Sequence, residues 1–506
     1  MRKLTLYITL LFSAIVSSCM PKQSHIEKID KAVKSVSLLV EDYERFKEPS
    51  IQDQRFKHEL VDSLLVSFAS NNQAITLTDE GISFEGRSIK RLSIGSGKTS
   101  ILMWSQMHGD EPTATMALFD LLHFLTAEDD EYDSMRKTIL SSVTIHIIPM
   151  LNPDGAQRFN RRNAQGIDMN RDALHQQTPE GQILKRVRDF LDADFAFNLH
   201  DQSRYYRVGD TDKSAAISFL APAYNEQKSI NAQRSKAKKL IAVMNEMVQV
   251  LAPGHVGRYD DTFEPRAFGD NIAKWGSSTI LIESGGYPDD PEKQHIRKFN
   301  FAALLMSLKT ISSTSYQSAS IADYYNIPEN SGQYLQLLLE GITIENSPSA
   351  PYTVDLGFRH REIDHNDATD FYLKGYIEDM GDLSTWTAYK KISLKGLTLR
   401  AGKVWGTTKN LNDWGFNELL QALKEGYTYF PIPENDAENA ISTKLPAIFF
   451  DEDEDSPRMG ELHPNTNPAF YIVDEQEVVK YAVVNGFVID VANPDWPDWA
   501  NGLILK

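Results

Sequence analysis

Apolar residues return every three to four positions across residues 23–65, at Ile29, Val33, Val36 and Val40, with no glycine among them. That spacing predicts helix, and Pro49 is expected to divide the stretch into two. The pattern then changes. Over "ISFEGRSIKRLSIGSGKTSILMWSQMHG", strand-like runs broken at Gly86 and Gly95–Gly97 predict strands joined by turns. Residues 101–104 and 143–148 read as buried strands. A short apolar run at 195–199 ends at His200, and "SSTILIESGG" carries a strand that ends at Glu283. Helical spacing recurs at 116–125, 228–250 and 300–311. Strands and helices in alternation predict an α/β fold with a mixed, mainly parallel sheet flanked by helices.

The texture shifts after "SSTSYQSAS" (312–320), a polar run read as a linker. Residues 23–311 are thus expected to form the main domain with a helical N-terminal extension, and 321–506 a smaller β-rich domain of unassigned function. Short strands and turns dominate there, with one helix at about 417–425 and a hairpin predicted at Asn485-Gly486. That segment holds Trp386, Trp405, Trp414, Trp496 and Trp499. Tryptophans are mostly packing residues, although exposed ones can stack on sugars or peptides. The acidic run "DEDEDS" lacks the turn glycine of a calcium loop and reads as a solvated face.

Composition is that of an ordinary globular protein, with 41% hydrophobic and 24% charged residues. A formal charge of -18 argues against a nucleic-acid partner, which would require a basic footprint. The first nineteen residues follow another logic: Arg2 and Lys3, an apolar run, then small residues, as in an export signal. The single cysteine, Cys19, ends this segment, and Val16-Ser17-Ser18-Cys19 resembles a bacterial lipoprotein cleavage box. The expectation is an exported protein lipid-anchored at the periplasmic or cell-surface face of a bacterial membrane. An ordinary export signal that happens to contain a cysteine is the alternative. With one cysteine, no disulfide can form within the chain.

Candidate chemistry centres on "WSQMHGDEPTATMALFDLLHFL", where His108 and Glu111 stand three apart at the start of a helix. Histidine and carboxylate are zinc ligands, and a catalytic zinc takes three protein ligands and leaves one position for water. The pair alone can equally cap a helix. His200 and Glu283 at strand ends add to it, because sites in open α/β sheets gather beyond the carboxyl ends of strands. Between them "RFNRRNAQGIDMNRD" is rich in arginine, suited either to a solvated face or to clamping a carboxylate.

Taken in order, "FEGRSI", "HGDE", "LNPDG", "RRNAQGIDMNR", "NLHDQ" and the strand-terminal glutamate resemble the zinc metallocarboxypeptidases, the carboxypeptidase A/B-like peptidases. The resemblance covers about residues 70–310. It implies one Zn2+ held by His108, Glu111 and His200, with Glu283 as general base. It implies that Arg161, with Arg162 as the alternative register, polarises the scissile carbonyl. Asn170 and Arg171 would grip the terminal carboxylate of a peptide substrate, and Asp168 would orient the first histidine. Tyr259 stands at about the place of the family's mobile tyrosine, while Arg266, Phe268 and Asp270 compete as its specificity residue. The implied activity is hydrolysis of the peptide bond next to a free C-terminal carboxylate. A zinc peptidase or amidase acting on peptidoglycan stem peptides, or a non-catalytic binding protein on the same fold, are the alternatives.

Overall fold

The computed structural model describes residues 27–345, 350–453 and 462–505. The export signal and Cys19 lie outside the described residues, as do residues 454–456 of the acidic run. The chain divides into two compact units between Ser331 and Gly332. This corrects the linker expected at 312–320. That stretch finishes the helix Gln294–Ser312 and forms a short 3-10 turn, Ser315–Ser318, with Tyr316 buried. Its serines bond backbone carbonyls: Ser313 Oγ donates to Lys309 O, and Ser318 Oγ to Ser315 O.

The first unit is built on one eight-stranded mixed sheet. Its strands are β1 (Ile75–Ile82), β2 (Ser88–Gly95), β3 (Thr99–Trp104), β4 (Val143–Ile148) and β5 (Phe195–Asp201). A two-residue β6 (Arg207–Val208) stands apart, and β7 (Ile217–Leu220), β8 (Val256–Arg258) and β9 (Ser278–Ser284) complete the main sheet. The order is β1-β2-β4-β3-β5-β9-β7-β8. The central run β4-β3-β5-β9 is parallel, and antiparallel pairs flank it on both sides.

Alternation along the strands sorts two cores. Ile101, Met103, Phe197, Leu199, Ile280 and Ile282 join the helices Thr113–Thr126, Ala232–Leu251 and Gln294–Ser312 on one face. Leu102, Trp104 and Ala196 pack with the helices Pro179–Leu191 and Phe268–Lys274 on the other. The N-terminal extension joins the first core through Val36, Leu39, Val40 and Tyr43. It breaks as expected near Pro49, but its second helix begins only at His58 and runs to Asn71. The extension is tied down by a buried charge cluster. Asp120 accepts from Arg297, from the Tyr43 hydroxyl and from the Glu48 amide, with Asp120 and Arg297 fully buried.

The second unit is β-rich, as the pattern predicted. Tyr334–Ile344 pairs antiparallel with Tyr352–His365, which pairs with Asp370–Gly381. A separate sheet sets Tyr427–Ile432, Ile448–Asp451 and Gly502–Leu505 in parallel. Val479–Val484 and Phe487–Asp490 form the expected hairpin, Asn485 and Gly486 both taking positive φ as a two-residue turn demands. Trp496 and Trp499 pack on Phe487, with ring centroids 5.3 and 5.5 Å away. Among the described residues no helix is long and apolar enough to cross a membrane.

Candidate metal centre

Two of the site's side chains are placed by sheet register. His200 and Glu283 are direct partners across parallel β5 and β9. Their neighbours Leu199 and Ile282 belong to the helical core on one face, so alternation sends His200 and Glu283 together to the opposite face.

The other two come from the loop after β3. Gly109 lies against Gly155 of the "NPDG" loop so closely that a Cβ on Gly109 would sit 2.0 Å from the Gly155 carbonyl carbon. Only glycine permits that approach. Gln106 holds a left-handed φ of 44°, unfavourable for a residue with a side chain. Its amide offsets the strain by donating to Gly109 O at 3.2 Å and accepting from Thr115 Oγ1 at 3.0 Å. The next loop secures the same stretch, with Asn152 N donating to Gln106 O at 2.9 Å and Asn152 Nδ2 to Met107 O at 3.2 Å. A rigid backbone thus presents His108 and Glu111 just before the helix Thr113–Thr126.

The three side chains converge. Glu111 Oε1 lies 2.8 Å from His108 Nδ1, Glu111 Oε2 lies 2.7 Å from His200 Nδ1, and the two imidazole nitrogens are 3.2 Å apart. All three are buried, and one ligand atom from each falls within 4.8 Å of the others. Two nitrogens bound tetrahedrally at ~2.0–2.1 Å from one zinc ion would stand about 3.3 Å apart. The observed spacing and the N, O, N donor set therefore suit zinc. Asp168 Oδ1 lies 3.1 Å from the far nitrogen of His108. Its acceptor character puts a proton on Nε2 and leaves Nδ1 for an ion.

Electrostatics agree with this division of roles. Burial alone would raise the Glu111 carboxyl, but His108 and His200 hold it well below the usual range. Burial lowers His200 and keeps it neutral against the pull of Glu111. On His108 burial is outweighed by Glu111 and Asp168, which raise its pKa to about 9. Glu283 is pushed well above the ordinary carboxylate value by burial and by the charges of Glu111 and Asp201. A carboxyl in that setting readily holds a proton between transfers.

The remaining sequence candidates separate clearly. Arg161 Nη1 is 3.0 Å from Glu111 Oε1 and 3.1 Å from His108 Nδ1, and its Nε and Nη2 bind Asp168 Oδ2 at 3.2 and 3.1 Å. Arg162 bonds Gly166 O within its own loop, so Arg161 is the arginine at the centre. Asn170 Nδ2 lies 3.5 Å from His200 Nε2, and its Oδ1 accepts from Phe268 N at 2.9 Å. Arg171 meets Glu264 at 3.4 Å, and Glu264 is held by Arg266. Tyr259 packs against Tyr206, with centroids 6.2 Å apart; burial and then Glu283 raise its pKa. Phe268 is buried against Trp275, and Asp270 accepts from Glu264 N at 3.1 Å.

Sequence reasoning does not single out Asp201, Thr113 or Lys293, which adjoin the ligands. The only signal was the charge of "HDQ" directly after a strand-terminal histidine.

Comparison with known proteins follows the same lines. Residues 61–204 match the zinc carboxypeptidase family. An uncharacterized protein of Zymomonas mobilis is 32% identical over 124 residues, 24% of this chain and 32% of its own length. A carboxypeptidase of Arabidopsis thaliana is 38% identical over 66 residues, 13% of each chain. The aligned stretches thus span about a third or less of these curated relatives. Among solved structures, a metallo-carboxypeptidase from Burkholderia cenocepacia aligns at 19% identity with a TM-score of 0.42, covering 51% of this chain and 70% of its own. Over residues 61–204, within its first unit, the chain is thus similar to the zinc carboxypeptidase family, in agreement with the ordered motifs.

Proposed function

We propose that the protein is an exported, lipid-anchored, zinc-dependent carboxypeptidase that releases residues from the free C-terminus of a peptide. The observation that carries this reading is the meeting of His108, Glu111 and His200, with Glu283 beside His200 on the next strand. Zinc held by the three ligands supplies Lewis acidity, which polarises a carbonyl and makes water nucleophilic near neutral pH. Glu283 takes the proton released as water attacks the scissile carbonyl and passes it to the leaving amine. Arg161 adds fixed positive charge at the ligand set, where the carbonyl oxygen becomes anionic. Asn170 and Arg171 hold the substrate's terminal carboxylate, a role suited to the planar guanidinium fork. Tyr259, which feels the charge of Glu283 and packs on Tyr206, closes over the bound residue. Export and anchoring rest on residues 1–19 and the lipid on Cys19.

Digestion of a mixed peptide library, half with free and half with amidated C-termini, tests this by mass spectrometry. Single-residue losses from free C-termini alone are expected. Glu283→Gln should retain zinc and slow release by about 10²–10⁴-fold, the usual contribution of a positioned base. Equal cleavage of amidated peptides would refute the carboxylate grip. Near-normal turnover in Glu283→Gln would refute the base.

A further inference from the structure

Directly behind the ligand set lies an ion pair that the chemistry above does not use. Asp201 Oδ2 accepts from Thr113 Oγ1 at 2.5 Å and from Lys293 Nζ at 2.9 Å, while the Asp201 amide donates to Glu111 Oε2 at 3.2 Å. Lys293 Nζ also reaches the Ser284 carbonyl at 3.4 Å. Each contact ends beside a member of the site. Thr113 is two residues past Glu111, Asp201 follows His200, and Ser284 follows Glu283.

The pair is shielded from water, with side-chain exposures of 5% for Asp201 and 14% for Lys293. A charge-assisted bond in such a place organises its surroundings far more than a surface pair does. Lys293 stands at φ 53°, at the start of the helix Gln294–Ser312, with no side-chain cap. Residues with a Cβ avoid that conformation. Here the strained turn delivers the ammonium to Asp201. The second carboxylate oxygen, Oδ1, is buried and has no hydrogen-bond partner among the described residues. The side-chain bonds to Asp201 therefore act through Oδ2, and among the described residues Lys293 is its only ion-pair partner. Without it, a buried carboxylate would face those of Glu111 and Glu283 uncompensated.

We propose that Asp201 and Lys293 are positioning residues that lock the loop of Glu111, the strand of His200 and the strand of Glu283 into one register, preorganising the ligand set for its ion. The proposal rests on the zinc reading above. It assigns Thr113 as the third point of the lock, tying the start of its helix to β5.

The test uses the full chain and metal alone, with Zn2+ affinity by chelator competition and the visible spectrum of the Co2+ form. Lys293→Met is expected to weaken zinc at least about tenfold and alter the cobalt spectrum, while Lys293→Arg stays within about threefold of wild type. Thr113→Val, which removes one donor with little change of shape, should weaken zinc more than about threefold and decides the matter if Lys293→Met does not fold. Zinc affinity within about threefold of wild type and an unchanged cobalt spectrum in Lys293→Met, or in Thr113→Val if that variant must decide, would overturn the proposal, even if melting falls. A wild-type chain that binds no zinc would instead overturn the functional reading itself.

Discussion

Replacing Asp168 by alanine probes the ligand set from outside it. Four hydrogen bonds end on this carboxylate: His108 Nε2 at 3.1 Å, Arg161 Nε and Nη2 at 3.2 and 3.1 Å, and Asn170 N at 2.9 Å. Losing the partner of a metal-bound imidazole weakens metal binding by about 10–100-fold, or ~1.4–2.7 kcal/mol. A second effect opposes the first. Asp168 also helps hold a proton on His108, whose pKa stands at about 9, and that proton competes with zinc. Removing Asp168 lowers that pKa, so near pH 7 part of the lost affinity returns. At about pH 9.5 the ring is mostly neutral in both proteins, and the full loss is read. The assay is zinc competition against a chromophoric chelator at both pH values, with circular dichroism to verify the fold. Asp168→Asn keeps an oxygen for His108 and for the Asn170 amide, so its loss should lie near the lower end of the range, about tenfold. An alanine variant that binds zinc within about threefold of wild type at high pH would refute the reasoning.

Two further outcomes follow from the same contacts. His108 binds a proton up to about pH 9, so zinc must displace it below that point: apparent affinity should rise by about tenfold per pH unit from pH ~6 and level off above ~9. A flat titration from pH ~6 to ~8 would show that no such proton competes. Asp120→Ala would leave Arg297 buried without its carboxylate and release Tyr43 and Glu48 of the N-terminal extension. Guanidinium unfolding should report a loss of ~3–5 kcal/mol, and a loss below about 1 kcal/mol would remove this cluster as an anchor.

How much of this could be read from residues alone depended on the range of the interaction. His108 and Glu111 lie three apart, so their convergence follows from local spacing. His200 and Glu283 were visible as polar ends of apolar strands, but not their pairing, which β5 and β9 decide by register. Asp120 and Arg297 are 177 residues apart, and nothing local marks either as a partner of the other. The boundary was misplaced because composition was taken as exposure. The serines of 312–320 satisfy helix-end carbonyls, and Tyr316 supplies the burial that a linker would lack. The second helix of the extension starts nine residues after Pro49 because the intervening chain runs through a turn and a bend and is packed, with Ile51 buried and the Arg55 guanidinium 3.9 Å from the Phe159 ring centroid. Arg161 was chosen over Arg162 by a loop bond that spacing does not encode.

Zinc stoichiometry after exhaustive dialysis tests the central claim most directly. Wild type should keep one zinc per chain, and His200→Ala, which removes one of three ligands, should fall to about a tenth of that or less while its circular dichroism is unchanged. A folded His200→Ala that still holds a full equivalent of zinc would contradict the assignment of His108, Glu111 and His200 as the metal centre.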